Sequence, residues 1–145
     1  MIRLTENQIK EIADNLDTGM NCYINKITGE IVTVLDFDSW PGGDTELWED
    51  VLTELQENWD KYVQIERMES RESFEIMEDF TGTVDDKDLQ NRLITALNKR
   101  HPFQNFKWQI DNSGPYRQKW FDFKEQRLID WVKNNLDHLE IEYDL

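Results

Sequence analysis

The spacing of apolar positions along the chain switches between a period near 3.6 residues and a period near two, and the switches mark the elements. Ile9, Ile12, Ala13 and Leu16 recur at helical spacing behind Thr5, with Gln8 three residues on to complete a capping box, and Gly19 stops the helix. Residues 22–27 and 30–37 are rich in Ile, Val, Thr and Tyr and flank Thr28-Gly29, which predicts a hairpin. Trp40-Pro41-Gly42-Gly43 breaks the chain. Asp44 is then placed to cap a helix carrying Leu47, Trp48, Val51, Leu52, Leu55 and Trp59, and residues 62–68 alternate as a third strand.

The second half reads as helices. Ser70 opens one with Phe74, Met77 and Phe80 on one side, ended by Gly82; Asp85 begins another with Leu89, Leu93, Ile94 and Leu97, closed by His101-Pro102. Pro102 suits the first turn of a short helix carrying Phe103, Phe106 and Ile110. After an Asn112-Ser113-Gly114 loop, Pro115 begins the longest helix, reaching Leu136, and residues 139–143 predict a last edge strand. The expected class is α+β: a small, mainly antiparallel sheet from the N-terminal hairpin and one or two further strands, covered by helices, with a helix-rich C-terminal half. A length of 145 residues predicts a single domain over residues 1–145, with a soft lobe boundary at 82–85.

Five segments carry a family resemblance. The run Phe74-Glu75-Ile76-Met77-Glu78-Asp79-Phe80, residues 89–97, the run Pro102-Phe103-Gln104-Asn105-Phe106-Lys107 and the run Arg117-Gln118-Lys119-Trp120-Phe121-Asp122-Phe123 resemble the bacterial Uncharacterised Protein Family 0158 in combination and spacing. Residues 23–32, with the turn at Thr28-Gly29, look like that family's first strand pair. Asn105 stands where many relatives carry Arg, and the first half is unusually acidic for the family. The resemblance implies the fold and a bacterial cytoplasmic setting. It brings no chemistry with it.

Charge narrows the choice of partners. The chain holds 31 acids and 16 bases, a formal charge of −15, which opposes general affinity for nucleic acid or an anionic membrane. The imbalance is uneven: residues 1–80 carry 20 acids and 6 bases, whereas residues 92–133 carry 9 bases and 4 acids. One cysteine, Cys22, precludes an intramolecular disulfide, and the N-terminus lacks the basic and apolar regions of a secretion signal. No apolar run approaches membrane-spanning length, so a cytoplasmic protein with no membrane association is expected.

Most short motifs fail on context. Asp17-Thr18-Gly19 spells the triplet of aspartic proteases, which use two such triplets on β-loops to share one proton, but here it ends a helical pattern. Asp36, Asp38 and Asp44 follow the predicted strand as carboxylates of the kind that hold Mg²⁺, and they are the weak metal candidates. As a calcium loop the segment has Pro41 at the turning position and Leu47 where a bidentate Glu belongs. Cys22, His101 and His138 lie singly, without the paired spacing of structural zinc, and Cys22 reads as a buried strand thiol. No phosphate-binding glycine loop or nucleophile elbow is present, and no cofactor is expected.

The long C-terminal helix is the informative element. At about 100° per residue from Trp120, Leu128, Phe121, Val132, Leu136 and Ile129 fall on one aliphatic sector. Tyr116, Phe123 and Trp131 fall near Trp120, interleaved with Arg117, Lys124 and Arg127. Such a face serves either as a second packing face, its basic stems laid over rings and paired with Glu78 or Asp79, or as a contact surface. Glu125 falls in the aliphatic sector and calls for a cationic partner such as Arg92 or Arg100. The sequence thus points to a non-enzymatic protein-binding or regulatory module contacting another protein through Arg117, Trp120, Lys124, Arg127 and Trp131, flanked by Arg100 and Lys107 and held by Glu78, Asp79 and Glu125. The alternatives are single-stranded nucleic-acid binding through the same face, extended by Phe103, Phe106 and Trp108, and a Mg²⁺-dependent hydrolase.

Overall fold

Thr5, in extended conformation, accepts a hydrogen bond from the Gln8 backbone N–H (3.2 Å) and donates its own N–H to the Gln8 side chain (2.9 Å), closing the capping box. Helix α1 (Glu6–Asp17) follows and buries Ile9, Ile12, Ala13 and Leu16. It ends at Thr18, with Gly19 at φ +87°, so the Asp-Thr-Gly triplet is a helix C-terminus. The computed structural model describes residues 2–35 and 48–144; Asp36, Asp38 and Asp44, including the cap expected at Asp44, lie outside them.

Contacts divide the chain into two compact units, one of Met1–Arg67 with Leu128–Leu145 and one of Met68–Arg127. The predicted boundary at residues 82–85 falls inside the second unit, where Val84 is buried.

In the first unit, β2 (Met20–Asn25) lies between β3 (Ile31–Leu35) and β4 (Tyr62–Ile65), antiparallel to both. Cys22 stands opposite Thr33 and Ile65, and its thiol points at the Ile12 carbonyl of α1 (3.9 Å), so this sheet face is sealed by the helix. The hairpin turns because the Asn25 side-chain oxygen accepts the N–H groups of Ile27 (2.8 Å) and Thr28 (3.1 Å), and Gly29 supplies φ +78°. On the other face, the Tyr62 hydroxyl donates to Glu54 of α2 (Glu49–Glu57) at 3.3 Å.

Three details of this unit differ from the pattern prediction. Trp59 leaves the helix for a 3-10 turn (Trp59–Lys61) and is 74% exposed. Strand β4 stops at Ile65 because the Glu66 backbone is claimed by side chains: its N–H donates to Asn135 Oδ1 (3.0 Å) and its carbonyl accepts from Trp131 Nε1 (2.6 Å). The C-terminal strand β5 (Glu142–Tyr143) joins the N-terminal β1 (Arg3–Leu4) in a separate parallel pair instead of extending the main sheet, with Arg3 held by Asp144 (2.6 Å) and Glu142 (3.7 Å).

The second unit is helical: α3 (Ser70–Thr83), α4 (Lys87–Leu97), α5 (Pro102–Asp111) and the first part of α6 (Tyr116–His138). Phe80, Phe106 and Trp120 stack edge to face at its centre, with Trp120 5.3 Å from Phe80 and 4.9 Å from Phe106 between ring centroids. Gly82 does not end α3. Nothing crowds its position, and the helix runs on to Thr83, whose hydroxyl donates to the Phe80 carbonyl (2.6 Å). The cap of α4 is Asp86, not Asp85: its carboxylate accepts the N–H groups of Asp88 (3.0 Å) and Leu89 (3.2 Å). Asp85 instead accepts the Tyr116 hydroxyl, a contact that holds the carboxyl below its ordinary range and raises the phenol. The fold is therefore α+β, with a small antiparallel sheet and a helix-rich second half. Among the described residues no helix is long and apolar enough to cross a membrane.

Candidate functional site

Trp120, the centre of the expected contact face, is not exposed, whereas Arg117 beside it is. Trp120 is 9% exposed and sits in the second unit's aromatic core, with Tyr116 and Phe123 packed against that core. Phe121, which a single helical wheel places among aliphatic core positions, is 38% exposed. One wheel over the 23 residues of α6 assumes one inward face. The helix instead serves two cores, burying its aromatic face near its start and Leu128, Val132 and Leu136 near its end.

Arg117 and Arg127 of α6 are paired within the second unit. Arg127 meets the Asp79 carboxylate at 2.8 Å and lies 5.7 Å from the Phe123 ring centroid. Arg117 pairs with Asp111 at 3.3 Å and stands 4.8 Å over the Phe121 ring. Lys124 and Glu125 are half-buried and engaged, whereas Glu78 is exposed. Arg92, one of the two cations anticipated for Glu125, has its guanidinium at Asp88 (3.3 Å) and Gln109 (3.5 Å). Trp131 is half-buried and spends its indole N–H on the Glu66 carbonyl.

What the second unit does expose is the α4–α5 hairpin. Its residues 91–110 contain Arg92, Lys99, Arg100 and Lys107 and no acid, in a chain of charge −15. The connection is rigidly built: Asn98 Nδ2 donates to the Ile94 carbonyl (2.8 Å), His101 turns at φ +56°, Pro102 starts α5, and Asn105 Nδ2 donates to the Arg100 carbonyl (2.8 Å). Trp108 is 61% exposed, beside exposed Lys107. Asp88, Arg92, Lys99, Asn105, Trp108 and Gln109 line an open groove of about 310 Å³ between the helices. Of the aromatic residues expected to extend the surface, Phe106 is buried and Phe103 is exposed with its ring edge-on to Phe74 (6.4 Å).

This surface combines cations, of which Arg92 is held by Asp88 and Gln109, amide donors and acceptors and the exposed rings of Trp108 and Phe103, the composition of a contact patch. Its signal is visible in the sequence as the acid-free stretch, but helical periodicity directs attention to the tryptophan on the longer helix. Among the described residues, no group of three His, Cys, Asp or Glu side chains is arranged to hold a metal ion. Cys22 is buried beneath α1, and that burial, with Glu11 nearby, pushes its thiol up to about 12.

Residues 1–145 match the Uncharacterised protein family (UPF0158), and the chain belongs to it. A UPF0158 protein of Pseudomonas aeruginosa is 27% identical over 135 residues, covering 92% of this chain and 83% of that protein. UPF0158 proteins of Chlamydia muridarum and Chlamydia trachomatis are 28% and 26% identical over 137 residues, and there the chain covers 89% of its own length and 39% of theirs. The chain thus spans most of the pseudomonad relative and about two fifths of the chlamydial ones. No solved structure matches it significantly.

Proposed function

We propose that this UPF0158 chain is a cytoplasmic, non-enzymatic protein-binding module whose contact face is the α4–α5 hairpin. The observation that carries the reading is the exposed Trp108 on a hairpin whose residues 91–110 hold Arg92, Lys99, Arg100 and Lys107 and no acid, Asp88 at the groove's edge being paired with Arg92. Tryptophan and arginine concentrate binding energy in protein interfaces, and a local positive patch selects partners with a complementary acidic surface. The charge of −15 weighs against long polyanions, whose repulsion by the rest of the chain grows with every added phosphate.

The test is affinity capture from bacterial lysate with the full chain, with and without nuclease, beside a variant carrying Lys99→Glu, Arg100→Glu and Trp108→Ala. The expected result is a nuclease-insensitive protein partner retained by the wild type and lost by the variant. Equal capture by both proteins refutes the assignment of the face. Capture abolished by nuclease replaces the reading with single-stranded nucleic-acid binding, in which Trp108 would act as a stacking platform.

A further inference from the structure

Another exposed tryptophan stands in the opposite electrostatic setting. Trp59 is 74% exposed in the turn after α2, and residues 49–60 contain Glu49, Asp50, Glu54, Glu57 and Asp60 and no base. Trp108 is 61% exposed within residues 91–110, which contain four bases and no acid. Trp59 belongs to the first unit and Trp108 to the second. Each segment offers what the other lacks: five carboxylates in the twelve residues that carry Trp59, followed by Lys61, and four cations in the twenty that carry Trp108, with Asp88 paired to Arg92 at the groove's edge.

We infer that the partner of the α4–α5 face is a second copy of this chain, which presents its acidic Trp59 turn to the basic Trp108 surface. The inference rests on the protein-binding reading above and names its partner. The contact is heterologous, because different surfaces of the two copies meet, so one basic and one acidic patch remain free after the first pairing. The overall charge of −15 works against any meeting of two copies at very low ionic strength. At about 0.15 M salt the Debye length is about 8 Å, so distant like charges are screened while carboxylates and cations in direct contact still attract. Burial of two indoles at the centre of such a contact, with charges at its rim, is the arrangement that gives specific interfaces their stability.

Two variants of the full chain test this by sedimentation velocity at physiological ionic strength, with far-UV circular dichroism confirming that each is folded. One removes the basic patch (Lys99→Ala, Arg100→Ala, Trp108→Ala) and the other the acidic patch (Glu57→Ala, Trp59→Ala, Asp60→Ala). Wild type is expected to associate as its concentration rises through the micromolar range. Each variant alone is expected to remain monomeric. An equimolar mixture is expected to form a dimer and nothing larger, since only one intact patch of each kind remains. A wild type that stays monomeric overturns the inference, as does association of either variant alone or a mixture that stays monomeric. If a monomeric wild type still captures another protein through Trp108, the second copy is refuted and the protein-binding face stands. If it captures nothing, both fail.

Discussion

Substituting Trp120 by alanine should separate core from surface in the C-terminal helix. Trp120 is 9% exposed and lies edge-on to Phe80 and Phe106 at 5.3 and 4.9 Å. An indole at this burial hides on the order of 200 Å² of surface, worth about 5 kcal/mol at about 25 cal/mol per Å². Truncating buried aromatics costs about 3–5 kcal/mol once partial collapse of the cavity is allowed for. With a urea m-value of about 2 kcal/mol/M, a loss of about 4 kcal/mol lowers the unfolding midpoint by about 2 M. Trp108→Ala, at a 61% exposed position, should stay within about 0.5 kcal/mol of wild type. The assay is urea unfolding followed by far-UV circular dichroism, with both variants measured beside wild type. A Trp120→Ala midpoint close to that of wild type, or a larger loss for Trp108→Ala, would refute the assignment of core and surface. The same numbers make Trp120 a poor probe of binding, because its loss would be read through stability.

Three further outcomes are expected. Cys22 should resist a thiol reagent at pH 8 in the folded chain and react fully in urea; rapid labelling of the native protein would contradict its sealed position under α1. Because its folded pKa, about 12, lies above the ordinary thiol value, the thiol's contribution to stability is complete below pH 9 and is lost as pH rises toward 12. Gly29→Ala should cost about 1 kcal/mol through its φ of +78°, since an added methyl would meet only ordinary contacts at 3.6 Å from Ile2; an unchanged midpoint would show that the turn relaxes.

The local rules carried a long way along this chain. Thr5 and Gln8 announce α1 because a capping box is made by residues three apart, and Thr28-Gly29 announces the hairpin because only a few residue types tolerate the backbone of its turn. The α+β class and the succession of helices after Ser70 follow from the same short-range periodicities. Where prediction and structure part, a distant group intervenes. Strand β4 ends where Trp131 and Asn135 take the Glu66 backbone, 65 and 69 residues away along the chain. The pairing of β1 with β5 joins two-residue segments at opposite ends of the sequence, too short for any alternation to show.

The candidate surface divides in the same way. That a basic, aromatic stretch sits in an acidic chain is legible from residue types alone, because charge and side-chain chemistry do not depend on the fold. Which rings face water depends on long-range packing. Helix α6 buries Trp120 in one unit's core and Val132 in the other's, so a single helical wheel drawn over its length misassigns Trp120 and Phe121. Trp108 is exposed because α5 fills the core with Phe106 and Ile110, and a residue two positions from each lies on the far side of a helix with 3.6 residues per turn. Periodicity identifies faces, and long-range packing chooses which face is covered.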